Sequence, residues 1–210
     1  MPRPVLPRGL YAVTDSALSG DALVQHVAQA IQSGAVMIQY RDKSSAAGQR
    51  LWQANDLQML CQSLRVPLII NDDIELAVQC RAAGVHLGKD DASIEQARAA
   101  LGAQAIIGVS CYALLSLALA AQANGADYVA FGSFFASPTK PATERADLDL
   151  LRAARAQLQV PIATIGGITP DNGRALVEAG ADLLAVVSGV FGTPNVSGAA
   201  RQYAALFERA

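Results

Sequence analysis

One piece of punctuation recurs along this chain and limits what it can fold into: a helical stretch, a glycine, then a short apolar run. Ser33-Gly34-Ala35, Ala83-Gly84, Asn124-Gly125-Ala126-Asp127 and Ala179-Gly180-Ala181-Asp182 all follow this pattern. Glycine enters the left-handed helix cap without steric cost, so each is read as a helix end that leads into a strand. The β-branched or apolar runs fall at residues 9–14, 36–40, 67–70, 85–87, 105–109, 128–132, 161–165 and 183–187. Between them lie helical patterns. Leu23, Val27 and Ile31 share one helical face, as do Leu148, Leu151 and Leu158. Thr169-Pro170 is a helix start signal, a capping hydroxyl followed by proline at the first helical position.

Strand and helix in strict alternation, with no hairpin signal, predict parallel β/α units. Right-handed crossovers close eight such units most naturally into a (β/α)8 TIM barrel of the α/β class. A doubly wound open sheet is the alternative, but no GxGxxG follows the first run. No linker, repeat or low-complexity segment divides the chain, so residues 1–210 are expected to form a single barrel domain.

Composition narrows the function. The net charge is −2 and the pI is near 5.6, without the basic surplus of a nucleic-acid binder. Apolar residues at 52% and charged residues at 16% describe a globular chain. The first ten residues hold three prolines and no apolar h-region, and the longest greasy stretch, residues 112–121, is about half of the ~20 that span a bilayer. Cys61, Cys80 and Cys111 have no CxxC spacing and are odd in number, as reduced thiols would be. The expectation is a soluble, cytoplasmic protein that handles small molecules, with neither membrane nor nucleic acid as partner; a homo-oligomer is left open.

In a β/α barrel the working residues sit at the C-terminal ends of the strands. Those ends here carry Thr14-Asp15, then Gln39, Arg41, Asp42 and Lys43, then Asn71-Asp72-Asp73, Lys89-Asp90-Asp91 and Ser110. Ser133, Ser137-Pro138-Thr139-Lys140, Gly166-Gly167 and Ser188-Gly189 complete the set. Arg41, Lys43 and Lys140 are donors suited to phosphate oxygens. Asp72 and Asp91 are hard oxygen ligands of the kind Mg²⁺ takes, one or two carboxylates completed by water and substrate phosphate. The same charges could instead neutralise one another as rim salt bridges. Gly166-Gly167 and Ser188-Gly189 follow the seventh and eighth strands, where barrels of this fold often cradle a phosphate in backbone amides. Tight packing is the competing explanation for those glycines. Two anion sites on one rim follow, one cationic and metal-assisted, one built of amides. No serine–histidine–acid arrangement and no histidine pair is visible, so the rim is read as stabilising a charged leaving group.

The ordered motifs Gly9-Leu10-Tyr11-Ala12-Val13-Thr14-Asp15, Gln39-Tyr40-Arg41-Asp42-Lys43, Ile70-Asn71-Asp72, Gly84-Val85-His86-Leu87-Gly88, Ile107-Gly108-Val109-Ser110, Ser137-Pro138-Thr139-Lys140-Pro141 and Ile165-Gly166-Gly167-Ile168-Thr169 resemble the thiamine-phosphate synthase family. They run in order from residue 9 to about 190. The resemblance implies a Mg²⁺-assisted transferase that joins a hydroxymethylpyrimidine diphosphate to a thiazole phosphate. The products are thiamine monophosphate and pyrophosphate, and the step is dissociative. It assigns Gln39, Arg41, Lys43, Asn71, Ser110 and Lys140 to the pyrimidine-diphosphate site, with Tyr40 and Asp42 in the same motif. It assigns Asp72 and Asp91 to the metal, and Ser137, Thr139, Gly167, Val187 and Ser188, with Pro138 between them, to the thiazole phosphate. Arg41, Lys43, Ser110 and Lys140 are the candidates for the chemical step. Departures from the family's pattern are Tyr40 where leucine is common, Lys89-Asp90-Asp91 in the fourth loop, which makes Asp90 a competitor of Asp91, and Ser137-Pro138.

Two other readings compete. A thiazole tautomerase would carry a histidine just after the fifth strand and no aspartate in the fourth loop, whereas this chain has Ser110-Cys111-Tyr112 and Asp90-Asp91. A non-catalytic phosphate sensor would have no need of the metal ligands. His86 is expected to be a hydrogen-bonded barrel residue, Trp52 and Met59 to pack, and Cys111 and Tyr112 are placed near the site.

Overall fold

Apolar residues alternate with period two along each strand, and both sets are buried, as expected where helices cover one face and the barrel interior fills the other. The computed structural model describes residues 5–136 and 145–208. Eight parallel strands close on themselves in chain order: β1 (Gly9–Val13), β2 (Ala35–Tyr40), β3 (Leu68–Asn71), β4 (Gly84–Leu87), β5 (Ile106–Tyr112), β6 (Tyr128–Gly132), β7 (Ile162–Ile165) and β8 (Leu183–Val186). Closure is made by β1 against β8, with Leu10 opposite Leu184 and Ala12 opposite Val186. This is the TIM barrel that the punctuation predicts.

Helices α1 (Gly20–Gln32), α2 (Ala47–Ser63), α3 (Ile74–Cys80), α4 (Ile94–Leu101), α5 (Leu115–Ala123), α6 (Leu148–Gln157) and α7 (Pro170–Glu178) form the crossovers. A four-residue helix α8 (Ser188–Phe191) and then α9 (Val196–Ala204) follow the last strand. Leu10, Ile38, Tyr40, Ile70, Val129 and Phe131 point outward into the layer between strands and helices. Tyr11, Met37, Ile69, Ile106, Tyr128, Ala163 and Leu183 point inward and fill the barrel. Parity along a strand therefore decides whether a residue near its C-terminal end can face the mouth.

The helix-end glycines behave as expected at Gly34, Gly125 and Gly180, whose φ angles are 105°, 92° and 114°. Gly84 does not. The left-handed residue after α3 is Arg81, with φ 55°, and Gly84 already lies in β4, where a Cβ would collide with the Ile106 carbonyl. Close strand approach, not a helix cap, requires that glycine.

The two Gly-Ala-Asp stretches share a further device. Asp127 Oδ2 accepts from Ile107 N at 2.8 Å and from Arg98 Nη2 at 2.6 Å. Asp182 Oδ2 accepts from Ile162 N at 2.9 Å and from Arg155 Nη1 at 2.9 Å. Each aspartate thus staples the start of the preceding strand to a helix, at the end of the barrel opposite the mouth.

Candidate active site

Thr14 leaves β1 almost fully buried, and its Oγ1 accepts from Arg41 N at 2.9 Å. The hydroxyl donates in turn to Arg41 O at 3.3 Å, so the chain after β2 is tied to the chain after β1. Arg41 is held by its backbone, and among the described residues no carboxylate pairs with its guanidinium. Arg8, Arg50, Arg98, Arg152 and Arg155 all have such partners. Among the described residues, then, Arg41 is a cation without a carboxylate partner, placed just after β2.

The loop that follows is braced by Asp42. Its Oδ1 accepts from Ser44 N at 2.8 Å, Ser44 Oγ at 2.9 Å and Ser45 N at 3.1 Å. Burial works against the charge, yet these bonds from Ser45 and Ser44 hold the carboxyl down to about 2. Asp42 is 9% exposed and its carboxylate is occupied by this turn, so its place in the site is to shape the loop that carries Arg41 and Lys43. Lys43 Nζ reaches Asp72 Oδ2 at 3.0 Å.

Asp72 and Asp73 divide their roles cleanly. Asp73 caps α3, its Oδ1 accepting from Leu76 N at 2.9 Å, and it pairs with Arg50 at 3.5 Å. Asp72 takes a left-handed φ of 63° and donates its N–H to His86 O at 2.8 Å, leaving its carboxylate to Lys43. Such a φ is uncommon for a residue with a side chain and is tolerated best by Asp and Asn.

In the fourth loop, Asp91 Oδ2 accepts from Gly88 N at 2.5 Å, which folds the loop back toward the barrel. Burial raises the Asp91 carboxyl above its ordinary range, and the neighbouring Asp72 carboxylate raises it further, while Lys43 pulls it down. Of the adjacent pair Asp90 and Asp91, Asp91 is the one brought beside Asp72. Two carboxylates at one place, with Lys43 as counter-charge, suit a divalent cation, whose charge relieves their mutual repulsion. Among the described residues no cluster of three or more His, Cys, Asp or Glu side chains could hold a metal, so such an ion would need ligand oxygens from elsewhere, as magnesium at a phosphate does.

Under this rim lies a chain of polar groups inside the barrel. Gln39 Nε2 donates to Tyr11 Oη at 2.6 Å, and the Tyr11 and Tyr128 hydroxyls are 2.8 Å apart. His86 Nδ1 lies 2.9 Å from Tyr128 Oη, and His86 Nε2 lies 2.9 Å from Ser110 Oγ. Burial raises both phenols and pushes the imidazole down to about 4, with Asp91 acting weakly the other way. His86 is thus a hydrogen-bonded barrel residue, as its place in a strand predicts. The link from Ser110 through His86 to Tyr128 is not legible in the spacing of the sequence; the shared inward parity of β4, β5 and β6 is the signal that could have found it.

Parity also corrects part of the expected site. Gln39, Asn71 and Ser110 fall on inward positions of β2, β3 and β5. Tyr40 falls on an outward one, where it is 3% exposed and donates to Gln53 Oε1 of α2 at 2.6 Å. Tyr40 packs under a helix and does not face the mouth. Cys111 is likewise turned outward into the helix-facing core, its thiol pushed up to about 12 by burial, and does not line the site. Tyr112 stays near it: exposed, with φ 53°, its hydroxyl accepts from Lys89 N at 3.3 Å and links the fourth and fifth loops. β5 extends to Tyr112, further than residues 105–109, because an irregularity between Ser110 and Tyr112 lets the chain continue alongside β6.

Across the mouth, the described residues that follow β6, β7 and β8 (133–136, 166–169 and 187–189) carry no charged side chain. Gly166 and Gly167 leave β7 with φ 105° and 63°, and Val187 and Ser188 leave the adjacent β8, with Ile165 opposite Ala185. Ser188 opens α8, a four-residue helix in which the Val190 and Phe191 amides donate to Val187 O at 3.1 and 3.0 Å. Packing accounts for part of this glycine pattern. A Cβ on Gly167 would lie 2.5 Å from Ala136 O, since the chain after β6 docks here through Phe134 N to Ile165 O at 3.2 Å and Phe135 N to Gly166 O at 3.0 Å. Gly189 lies against the Tyr203 hydroxyl, which donates to Ile168 O at 2.9 Å. Ser137, Pro138, Thr139 and Lys140 lie outside the described residues.

Fold and rim together define a (β/α)8 barrel whose mouth brings Asp72, Asp91 and Lys43 together after β2, β3 and β4 and sets the bare backbone of Gly166 and Gly167 after β7. The family model described as thiamine monophosphate synthase matches residues 10–190. The chain is 50% identical over 204 residues to the thiamine-phosphate synthase of Methylococcus capsulatus, covering 97% of this chain and 91% of that one. It is 52% identical over 197 residues to that of Nitrosococcus oceani, covering 93% and 91%. Among solved structures, thiamine phosphate pyrophosphorylase from Pyrococcus furiosus superimposes with a TM-score of 0.85 at 32% identity, covering 94% of each chain. The chain belongs to the thiamine monophosphate synthase family.

Proposed function

We propose that this barrel is a thiamine-phosphate synthase. It joins 4-amino-2-methyl-5-hydroxymethylpyrimidine diphosphate to 4-methyl-5-(2-hydroxyethyl)thiazole phosphate and releases pyrophosphate. The C–O bond between the pyrimidine methylene and the diphosphate breaks with its electron pair leaving on pyrophosphate. The thiazole nitrogen then supplies the pair for the new C–N bond and becomes the positively charged ring nitrogen of thiamine phosphate. Family membership supports the reaction, and the observation that carries the site is the meeting of Asp72, Asp91 and Lys43 in the loops after β2, β3 and β4.

In this reading Arg41, Lys43 and Lys140 gather the negative charge that grows on departing pyrophosphate, an interaction that strengthens as the bond breaks. Asp72 and Asp91 would hold Mg²⁺, which supplies charge neutralisation to the diphosphate oxygens. Gln39, Asn71 and Ser110 orient the pyrimidine ring from their inward positions, and Asp42 braces the loop. Ser137, Thr139, Gly167, Val187 and Ser188 receive the thiazole phosphate from the ends of β6, β7 and β8. Placing the two anions at opposite sides of one mouth keeps their charges apart while their reacting atoms meet between them. A single domain over residues 1–210 carries both half-sites. No helix among the described residues is long and apolar enough to cross a membrane, and the three cysteines are free and buried; a cytoplasmic setting goes with this reading.

The test is to mix the purified protein with both substrates and Mg²⁺ and to follow pyrophosphate. Equimolar pyrophosphate and thiamine phosphate are expected, with neither formed when one substrate is omitted. Isomerised thiazole phosphate without pyrophosphate would instead mark a tautomerase, and binding without turnover would mark a sensor.

A further inference from the structure

We propose that Tyr11, Tyr128 and His86 form a one-way hydrogen-bond chain that orients the Gln39 amide and the Ser110 hydroxyl as a matched acceptor and donor at the mouth. The roles of Gln39 and Ser110 rest on the functional reading above; the direction of the chain rests on proton counting alone.

Gln39 Nε2 is a donor, so the Tyr11 oxygen accepts from it at 2.6 Å. The Tyr11 proton then needs an acceptor inside a barrel where the residue is 1% exposed, and the Tyr128 oxygen at 2.8 Å is the one within reach. If Tyr128 donated to Tyr11 instead, the Tyr11 proton would be buried without a partner, a loss of about 1–3 kcal/mol. With Tyr11 as donor, the Tyr128 proton is free for His86 Nδ1 at 2.9 Å. A neutral imidazole holds one proton for two nitrogens, so that proton sits on Nε2 and is donated to Ser110 Oγ at 2.9 Å.

Two consequences reach the mouth. Ser110 accepts from below, so its own hydroxyl proton is available above. Gln39 uses its NH2 below, so its Oε1 is available above. An amino-substituted heteroaromatic ring, with an N–H donor next to a ring-nitrogen acceptor, is the chemistry that this pair recognises. Tyr11, Tyr128 and His86 touch no substrate in this arrangement and are positioning residues. Glycine at 108 is part of the device, because a Cβ there would collide with the Tyr128 ring.

The chain holds two histidines, His26 and His86, so nitrogen NMR of the full protein labelled in its imidazoles resolves the tautomer, with His86→Gln giving the assignment. The expected result for the unliganded protein is a proton on Nε2 and a bare, hydrogen-bonded Nδ1. A proton on Nδ1 would overturn the proposal without any variant having to fold. Tyr11→Phe and Tyr128→Phe then test the consequence. Each should raise KM for the pyrimidine diphosphate about tenfold, the effect of losing roughly one hydrogen bond, with KM for the thiazole phosphate unchanged. Equal rises for both substrates, or no rise in either variant, would reduce the three residues to packing. The tautomer is read without substrate, so its failure is distinct from a failure of the wild-type protein to release pyrophosphate.

Discussion

Lys43 Nζ and Asp72 Oδ2 lie 3.0 Å apart at the barrel mouth, with side chains 62% and 30% exposed. An ion pair this open contributes at most about 1 kcal/mol to folding. Lys43→Ala should therefore leave the denaturation midpoint almost unchanged while raising KM for the pyrimidine diphosphate at least about tenfold, as loss of one charge-assisted phosphate contact would. Unfolding curves and steady-state kinetics on one preparation check both halves. A large stability loss with normal kinetics would make the pair a rim salt bridge.

Tyr40 provides the opposite case. Its hydroxyl is bound to Gln53 Oε1 at 2.6 Å under α2, away from the mouth. Tyr40→Phe should cost about 1–3 kcal/mol of stability, because a buried acceptor is left unsatisfied, with kcat and both KM values within about twofold of wild type. A selective loss of pyrimidine-diphosphate binding would contradict the outward parity of β2.

His86 should shape the acid limb of stability. Its folded imidazole is pushed down to about 4, below the ordinary value of 6.5. The unfolded chain therefore binds the proton more readily, and stability rises with pH across this window. The contribution is complete above about 6.5 and is lost as pH falls toward 4, on the order of 3 kcal/mol in all. Denaturant melts from pH 7 to pH 4 should show this slope, and His86→Gln should flatten it.

Asp127 lies far from the mouth, beside the start of β5. It is 6% exposed and receives Arg98 at 2.6 Å and Ile107 N at 2.8 Å. Asp127→Ala takes the carboxylate from a partly buried guanidinium, which keeps carbonyl partners such as Ala105 O and Gly125 O, and from Ile107 N, and should cost about 3 kcal/mol of stability. The fraction that folds should keep wild-type KM values, as calorimetry and kinetics can establish.

Much of this was legible in the sequence because it is periodic or local. Eight runs and their glycine punctuation predict the closed barrel, and the rule that sites lie at strand C-termini picks out Arg41, Lys43, Asp72 and Asp91. What stayed hidden depends on relations between strands. Tyr40 shares a motif with Gln39 and Arg41, and only its parity shows that it faces a helix. Asp90 and Asp91 are adjacent in sequence, and only the turn onto Gly88 N brings Asp91 to Asp72. The link from Gln39 to Ser110 through Tyr11, Tyr128 and His86 joins five residues on five strands, which no local spacing encodes.

In the proposed function, Asp72 and Asp91 bring a divalent cation to the same anion that Arg41 and Lys43 bind. Calorimetric titration of pyrophosphate, with and without Mg²⁺, into the wild-type protein and into Asp72→Asn/Asp91→Asn measures this directly. Pyrophosphate should bind the wild-type protein at least about tenfold more tightly with Mg²⁺, a gain the double variant should lose. Equal affinity with and without Mg²⁺ in the wild type, or an undiminished Mg²⁺ effect in the double variant, would contradict it.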